Sequence, residues 1–183
     1  MKTSSLIFSL AALTAVSALL PSTQAATIVV NSTDDPAGYD PNITIATLGP
    51  TVRLRDAVNA ANNTAGDDTI VFDPALAGQT ITLAQVGHTT AQNSALLVAS
   101  RITITAPTGG ITISRSTVLM RHFFVAGGGS LTLEAPAIDG LTLRNGDLKG
   151  DGASIYNLGA LRTTRVAFML NSADSFSLGD AGR

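Results

Sequence analysis

The chain has 183 residues, is 45% hydrophobic and only 13% charged, contains no cysteine, and carries a formal net charge of −2 from 11 Lys and Arg against 13 Asp and Glu. That balance excludes a basic nucleic-acid surface, which needs clustered Lys and Arg to meet phosphates. The missing cysteines exclude disulfides, thiol nucleophiles and thiolate metal sites, and an aromatic content of 4% without Trp argues against ring platforms for bases or sugars.

Residues 1–25 read as a signal peptide. Lys2 supplies a positive start, Leu6 to Leu20 is a continuous run of apolar and small residues, and Pro21 breaks it. Thr23-Gln24-Ala25 supplies the residues a signal peptidase reads, so cleavage is expected after Ala25. The run is short for a membrane span of about 20 apolar residues, no Cys follows it to carry a lipid, and no later stretch is long enough to cross a bilayer. The expected location is secreted or cell-surface.

Residues 26–50 read as an N-terminal strand and loop. Thr27 to Asn31 is a β-branched run. Ser32 to Asn42 is rich in Asp, Pro and Gly, and Ile43 to Leu48 reads as a second short strand. Asp34, Asp35 and Asp40 cluster here without calcium-loop spacing, and read as turn formers. Residues 51–66 read as a capping helix and loop. Leu54, Ala57, Val58 and Ala61 share one helical face, and Arg53, Arg55, Asp56 and Asn59 fall on the other. Thr51 is the expected cap, and Asn62, Asn63 and Gly66 the end. Ten or so residues are marginal as an isolated helix, so it needs an apolar partner.

Residues 67–183 read as β-coils. Ile70-Val71-Phe72, Gln79 to Leu83, Ala95 to Val98, Arg101 to Thr105, Ile111 to Ile113, Phe123 to Val125, Leu131 to Leu133, Leu141 to Leu143, Leu158 to Thr163 and Val166 to Leu170 alternate apolar with polar residues or form apolar runs. Ile81, Ile102 and Phe123 stand about 20 residues apart, a period that suggests a solenoid. An antiparallel sandwich also predicts short strands, but tight hairpin signals are scarce and Asn145-Gly146 is the one clear pair. The expected fold is all-β, a right-handed parallel β-helix of about four to six coils with a short N-terminal capping α-helix. Leu54, Val58 and Ala61 would close its first coil.

Val52 to Val58, VRLRDAV, resembles the CSLREA motif near the start of exported right-handed parallel β-helix proteins. Leu54, Arg55 and Ala57 match it, Asp56 stands for its Glu, and Val52 and Arg53 replace its Cys and Ser. Asp68-Thr69-Ile70, Gly78 to Leu83, Gly140 to Gly146, Asp151 to Ala160 and Asn171-Ser172-Ala173, the last as a coil ending, resemble the same family's coils. The resemblance implies a pectin-lyase-like β-helix, extracellular or surface-attached. Many such relatives are long surface proteins thought to serve adhesion.

Chemistry is harder to find. Inverting glycosidases need two carboxylates about 6.5–9.5 Å apart. The central candidates are Asp139, Asp147 and Asp151, the last two in the turn-like segment GDLKGDG. Lys149 is the only Lys after the signal, and Arg144, Arg162 and Arg165 are placed to face outward together. His88 and His122 read as lone packed or surface residues, Gly127-Gly128-Gly129 lacks the features of a phosphate loop, and Asn157 reads as a structural amide at a coil corner. Asn31, Asn42 and Asn62 each open an N-x-S/T sequon, with no glycan expected. No catalytic, cofactor-binding or metal residue is assigned. The expected function is a non-catalytic adhesion or glycan-binding scaffold, with polysaccharide or cell-surface glycan as partner and self-association through an open C-terminal coil. A polysaccharide lyase or glycoside hydrolase, and a fragment of a longer surface protein truncated at its C-terminus, are the alternatives.

Overall fold

A computed structural model describes residues 24–174 of the chain. The signal segment before them, and the coil end expected over Ser175 to Arg183, lie outside the described residues. β1 (Thr27–Val30) leads through a loop to α1 (Leu54–Asn63), and the chain then winds into coils. The first is β2 (Asp67–Phe72), β3 (Thr80–Leu83) and β4 (Ser94–Val98). The second is β5 (Arg101–Thr105), β6 (Ile111–Arg115) and β7 (Arg121–Val125). The third is β8 (Ser130–Glu134), β9 (Leu141–Arg144), β10 (Asp147–Lys149) and β11 (Ile155–Asn157), and a fourth begins with β12 (Ala160–Thr164), β13 (Val166–Met169) and β14 (Ser172–Asp174).

All the strand pairs are parallel. They build a first sheet β1-β2-β5-β8-β12, a second β3-β6-β9-β13, a third β4-β7-β11, and the pair β10-β14. This is a right-handed parallel β-helix with one helix. It has three turns and the start of a fourth among the described residues, fewer than the expected four to six.

The repeat also differs from the expected one. Ile70 pairs with Ile104, and Ile104 with Leu133, so successive coils advance by 34 and then 29 residues. Ile81, Ile102 and Phe123 belong to three different sheets. Their equal spacing measures steps around the coil as well as along it. Three short strands of similar composition per coil leave such false intervals in the sequence.

Side-chain alternation fills the interior. Ile28, Ile70, Ile104 and Leu133 form one buried row, and Ile81, Ile113 and Leu143 another. Each such side chain is worth about 1.5–3 kcal/mol of transfer free energy when fully buried. Asp68 interrupts the pattern. It is 1% exposed on the row occupied by Ile102 and Leu131 in the following coils. Coil corners are tight. A Cβ on Gly129 would press into the Val98 carbonyl, and one on Gly159 into the Gly129 carbonyl, whereas Gly128 faces open space.

α1 closes the first coil. Leu54, Ala57, Val58, Ala60 and Ala61 are fully buried and continuous with the strand core. The expected polar face is only partly polar in the fold, because Arg55 and Asp56 are buried as well. The N-cap is Arg53, not Thr51, and the Asp56 carboxylate accepts the Arg53 amide at 3.3 Å, an acidic group where the helix dipole favours one. Arg55 makes a bidentate pair with Asp35 (2.6 and 2.8 Å), whose Oδ2 also accepts the Ala84 and Gln85 amides at 2.7 and 3.0 Å. Arg55 further donates to the Gln85 and Ala95 carbonyls and lies 4.5 Å over the Tyr39 ring. Asp35 is therefore more than a turn former; its loop folds over the helix and is fixed there. Ile43 to Leu48 forms no strand, and a 3-10 turn spans Ile45–Thr47.

Asparagines pin the cap. Asn31 exchanges bonds with Val52 and Pro50, and Asn62 donates to the Leu97 carbonyl while accepting the Ala99 amide. Each side-chain amide thus bonds backbone through both its oxygen and its nitrogen.

Candidate functional site

The outer side of the third sheet concentrates the groups that packing alone does not account for. Leu97, Phe124 and Tyr156 stand in register on β4, β7 and β11. The Phe124 and Tyr156 rings stack at 5.8 Å, and His88 lies 4.6 Å from Phe124. Aromatic residues are few, yet the fold gathers these on one face. Tyr156 is partly exposed and Phe124 is buried beneath the neighbouring groups.

Arg121 reaches this face through a β-bulge. The amides of His122 and Phe123 both donate to the Ser154 carbonyl, at 2.9 and 3.1 Å. Two residues thus oppose one acceptor, and the alternation shifts by one. Arg121 then shares the outer side with Phe124, its Cζ 4.8 Å over the Tyr156 ring. His122 turns the other way, where Nδ1 meets Ser154 Oγ at 3.1 Å and Nε2 meets the Arg144 carbonyl at 2.9 Å. Burial lowers its pKa to about 4, so His122 is a neutral, packed histidine, as expected of it.

The segment from His88 to Ser94 roofs the face. These two residues form an antiparallel bridge, and between them Ala91 and Gln92 hold φ values of 51° and 80°. Left-handed backbone costs a residue with a Cβ about 1–2 kcal/mol. The Ala91 carbonyl accepts from Arg121 Nη2 at 2.8 Å, and the Gln92 amide lies where a Cβ on Gly150 would stand.

Beneath the roof the polar groups are not paired. Arg121 is 1% exposed, yet its Nε and Nη1 have no partner; nor do His88 Nε2 and Ser94 Oγ. These are four of the six buried, unpartnered side-chain atoms among the described residues. Register explains their proximity, since His88 bridges Ser94 and Ser94 is paired with Arg121. Burial lowers the Arg121 pKa, with Tyr156 and Asp151 opposing that shift, and burial together with Arg121 lowers that of His88.

The other candidate residues do not converge. Asp139 precedes β9 and Asp147 follows it, and a four-residue strand rising about 3.3 Å per residue separates them. Asp147 is paired with Arg115 at 3.3 Å and lies on β10, a strand where a turn was expected. Asp151 is exposed beyond that strand. Arg144 ends β9, Arg162 lies on β12 of another sheet, and Arg165 turns the corner with its Nε on the Ala135 carbonyl; the three form no common outward group. Asn157 accepts the Gly159 amide at 3.1 Å, the corner role expected of it. Asn171 bonds Gly146 and Leu143, but Ser172 opens β14, so the segment continues the coil. Among the described residues no group of three or more His, Asp or Glu is placed to hold a metal ion. The sequence carried one sign of the arginine site, a charged residue heading the otherwise apolar run RHFFV, but its partners come from other coils.

Comparison with family models, with curated proteins and with solved structures returned no match.

Proposed function

We propose that the chain is an exported, non-catalytic β-helix scaffold whose third-sheet outer face binds a glycan at a cell surface or in the extracellular medium. The observation that carries this reading is the partly exposed Tyr156 ring, stacked in register on Phe124 with Arg121 packed against it. Such a ring offers an apolar platform beside polar groups. Export rests on the signal features of residues 1–25, and surface attachment on the resemblance of Val52 to Val58 to the CSLREA segment. The separation of Asp139 from Asp147 by a whole strand, and the engagement of Asp147 by Arg115, weigh against a hydrolase or lyase built on that pair. Self-association through the apolar side chains of β12 and β13 and the turn after them is the second part of the proposal. It is supported by Leu161, Phe168 and Leu170, which are 39%, 48% and 68% exposed there.

The test is a glycan and polysaccharide screen of the chain starting at Ala26, read for both capture and product release. The expected result is saturable binding without products, weakened at least tenfold in Tyr156→Ala. Release of shortened or unsaturated sugars would overturn the non-catalytic reading, and failure to capture any glycan would overturn the binding one.

A further inference from the structure

We propose that the roofed nest around Arg121 is an oxyanion site, recognising a carboxylate or phosphate group on the ligand. This deepens the reading of the third-sheet face as the ligand-bearing surface and rests on it. The unpaired atoms are almost wholly donors. Arg121 Nε carries one N–H and Nη1 two, and none can accept; Ser94 Oγ offers an O–H, and His88 Nε2 an N–H in one tautomer. A buried guanidinium without a carboxylate is rare, because the desolvated charge demands compensation. The ion pairs among the described residues leave Arg121 without a carboxylate. Asp151 raises its pKa from a distance but makes no bond to it. Tyr156 covers the flat of the guanidinium, and Nε and Nη1 are left as in-plane donors on its two edges. Freeing Nη2 from the Ala91 carbonyl would complete the Nε–Nη2 fork by which arginine grips two oxygens at once, as Arg55 grips Asp35. The roof is the point of access. Ala91 and Gln92 hold left-handed backbone there, and the roof is tied to Arg121 by two bonds, from Nη2 to the Ala91 carbonyl and from the Arg121 amide to the Asn93 carbonyl at 3.2 Å, only the first of which involves the guanidinium.

Phosphate, sulfate, acetate and glucuronate would each be titrated into the chain starting at Ala26, against chloride at constant ionic strength and neutral pH. The readouts are the Arg121 Nε–H resonance and the Tm. A saturable shift of that resonance with a saturable rise in Tm is expected, the rise being absent in Arg121→Met. A response to phosphate and sulfate assigns a tetrahedral group, and one to acetate and glucuronate a carboxylate. An unmoved resonance, or an equal rise in Arg121→Met, would overturn the site. Should that variant not fold, Ser94→Ala with the same resonance replaces it, and several-fold weaker anion binding is expected. An anion response without glycan capture sustains this site and refutes the glycan reading; glycan capture without an anion response does the reverse.

A separate observation concerns Asp68. We infer that its carboxylate is the receptor for the amino terminus created by cleavage after Ala25. Asp68 occupies a core row that is otherwise apolar, its Oδ1 accepts the Ala26 amide at 2.9 Å, and its Oδ2 has no partner. The Ala26 carbonyl is held by the Thr69 amide at 2.8 Å, so Ala26 is fixed from both sides. Peptidase-catalysed hydrolysis of the Ala25–Ala26 amide consumes one water and leaves a carboxylate on Ala25 and an ammonium on Ala26. The single N–H donor becomes a cation with three, able to serve both oxygens. Processing would thus supply the counter-ion that the unprocessed chain lacks.

The chain beginning with a free Ala26 amine would be compared with the same chain acetylated there. The free amine is expected to melt several degrees higher, and the difference to vanish in Asp68→Asn. Equal melting, or a difference that persists in Asp68→Asn, would overturn the inference. If Asp68→Asn does not fold, titration of the isotopically labelled Ala26 amine decides. A value above that of an ordinary α-amine supports the pairing, and an ordinary value refutes it.

Discussion

Asp35→Ala removes the acceptor at the centre of the network that fastens the N-terminal loop over α1. The carboxylate takes four bonds, two from Arg55 and one each from the Ala84 and Gln85 amides. Both side chains of the pair are 2% exposed. Deleting one member of such a pair leaves the other charge buried alone, at a cost of about 3–5 kcal/mol. The two freed amides would add about 1–3 kcal/mol each if they stayed dry, but the shortened side chain admits water to them. A loss near 5 kcal/mol is therefore expected, comparable with the lower end of the ~5–15 kcal/mol stability of a whole domain. Asp35→Ala combined with Arg55→Met removes both charges and should recover most of the loss. A residual of about 1–2 kcal/mol remains for the bonds Arg55 gave to the Gln85 and Ala95 carbonyls. Urea unfolding followed by far-UV circular dichroism measures all three chains, with equal m-values as the check that the unfolded state is unchanged. A single variant within about 0.5 kcal/mol of wild type, or a double variant less stable than the single, would refute the reasoning.

Val58→Asp places an unpaired carboxylate in the fully buried face of α1 and should cost a few kcal/mol; wild-type melting in that variant would mean that the helix is not a cap. His122 contributes pH dependence of a fixed sign. Its folded pKa of about 4 lies below the ordinary 6.5, so the unfolded chain binds the extra proton between those values. Stability is fully present above 6.5 and falls by on the order of 3 kcal/mol as pH drops through the window to about 4. Urea midpoints measured across that range should flatten in His122→Asn, and an unchanged slope would exclude His122 as the source. Gly129→Ala forces a methyl against the Val98 carbonyl and should cost about 1–3 kcal/mol. Gly128→Ala, which meets nothing, is the control, and matching melting curves for the two would contradict the corner geometry.

Strand positions were largely legible because alternation is a local property. Arg101 to Thr105 could be marked as a strand from Ile102 and Ile104 alone, and its bounds agree with β5. The capping face of α1 was legible for the same reason, since Leu54, Ala57, Val58 and Ala61 repeat at the helical period. The coil length was not, because sequence spacing mixes the step around a coil with the step between coils. Asp147–Lys149 was hidden by its turn-forming neighbours, and its pairing is supplied by β14, 25 residues further on. The polar interior was the least legible part. Arg55 sits on what a helical wheel marks as the wet side, and is buried because a loop 20 residues earlier brings Asp35 over it. Arg121 needs a bulge to reach the outer face, and a bulge is fixed by the neighbouring coil rather than by the residues that form it.

A stack sealed at one end by α1 has an origin. Every later coil takes its register from the one beneath it, and nearest-neighbour contacts carry nearly all of the stability of such a stack. Length then becomes a variable separate from foldability. Inserting or removing a whole coil of 29 or 30 residues beyond β5, the interval set by Ile104, Leu133 and Thr163, leaves the sealed end and its Asp35–Arg55 clasp as they were. A change of a few residues inside a coil instead offsets every strand that is templated on it. The same geometry that makes the fold tolerant of whole repeats makes it intolerant of fractions of one.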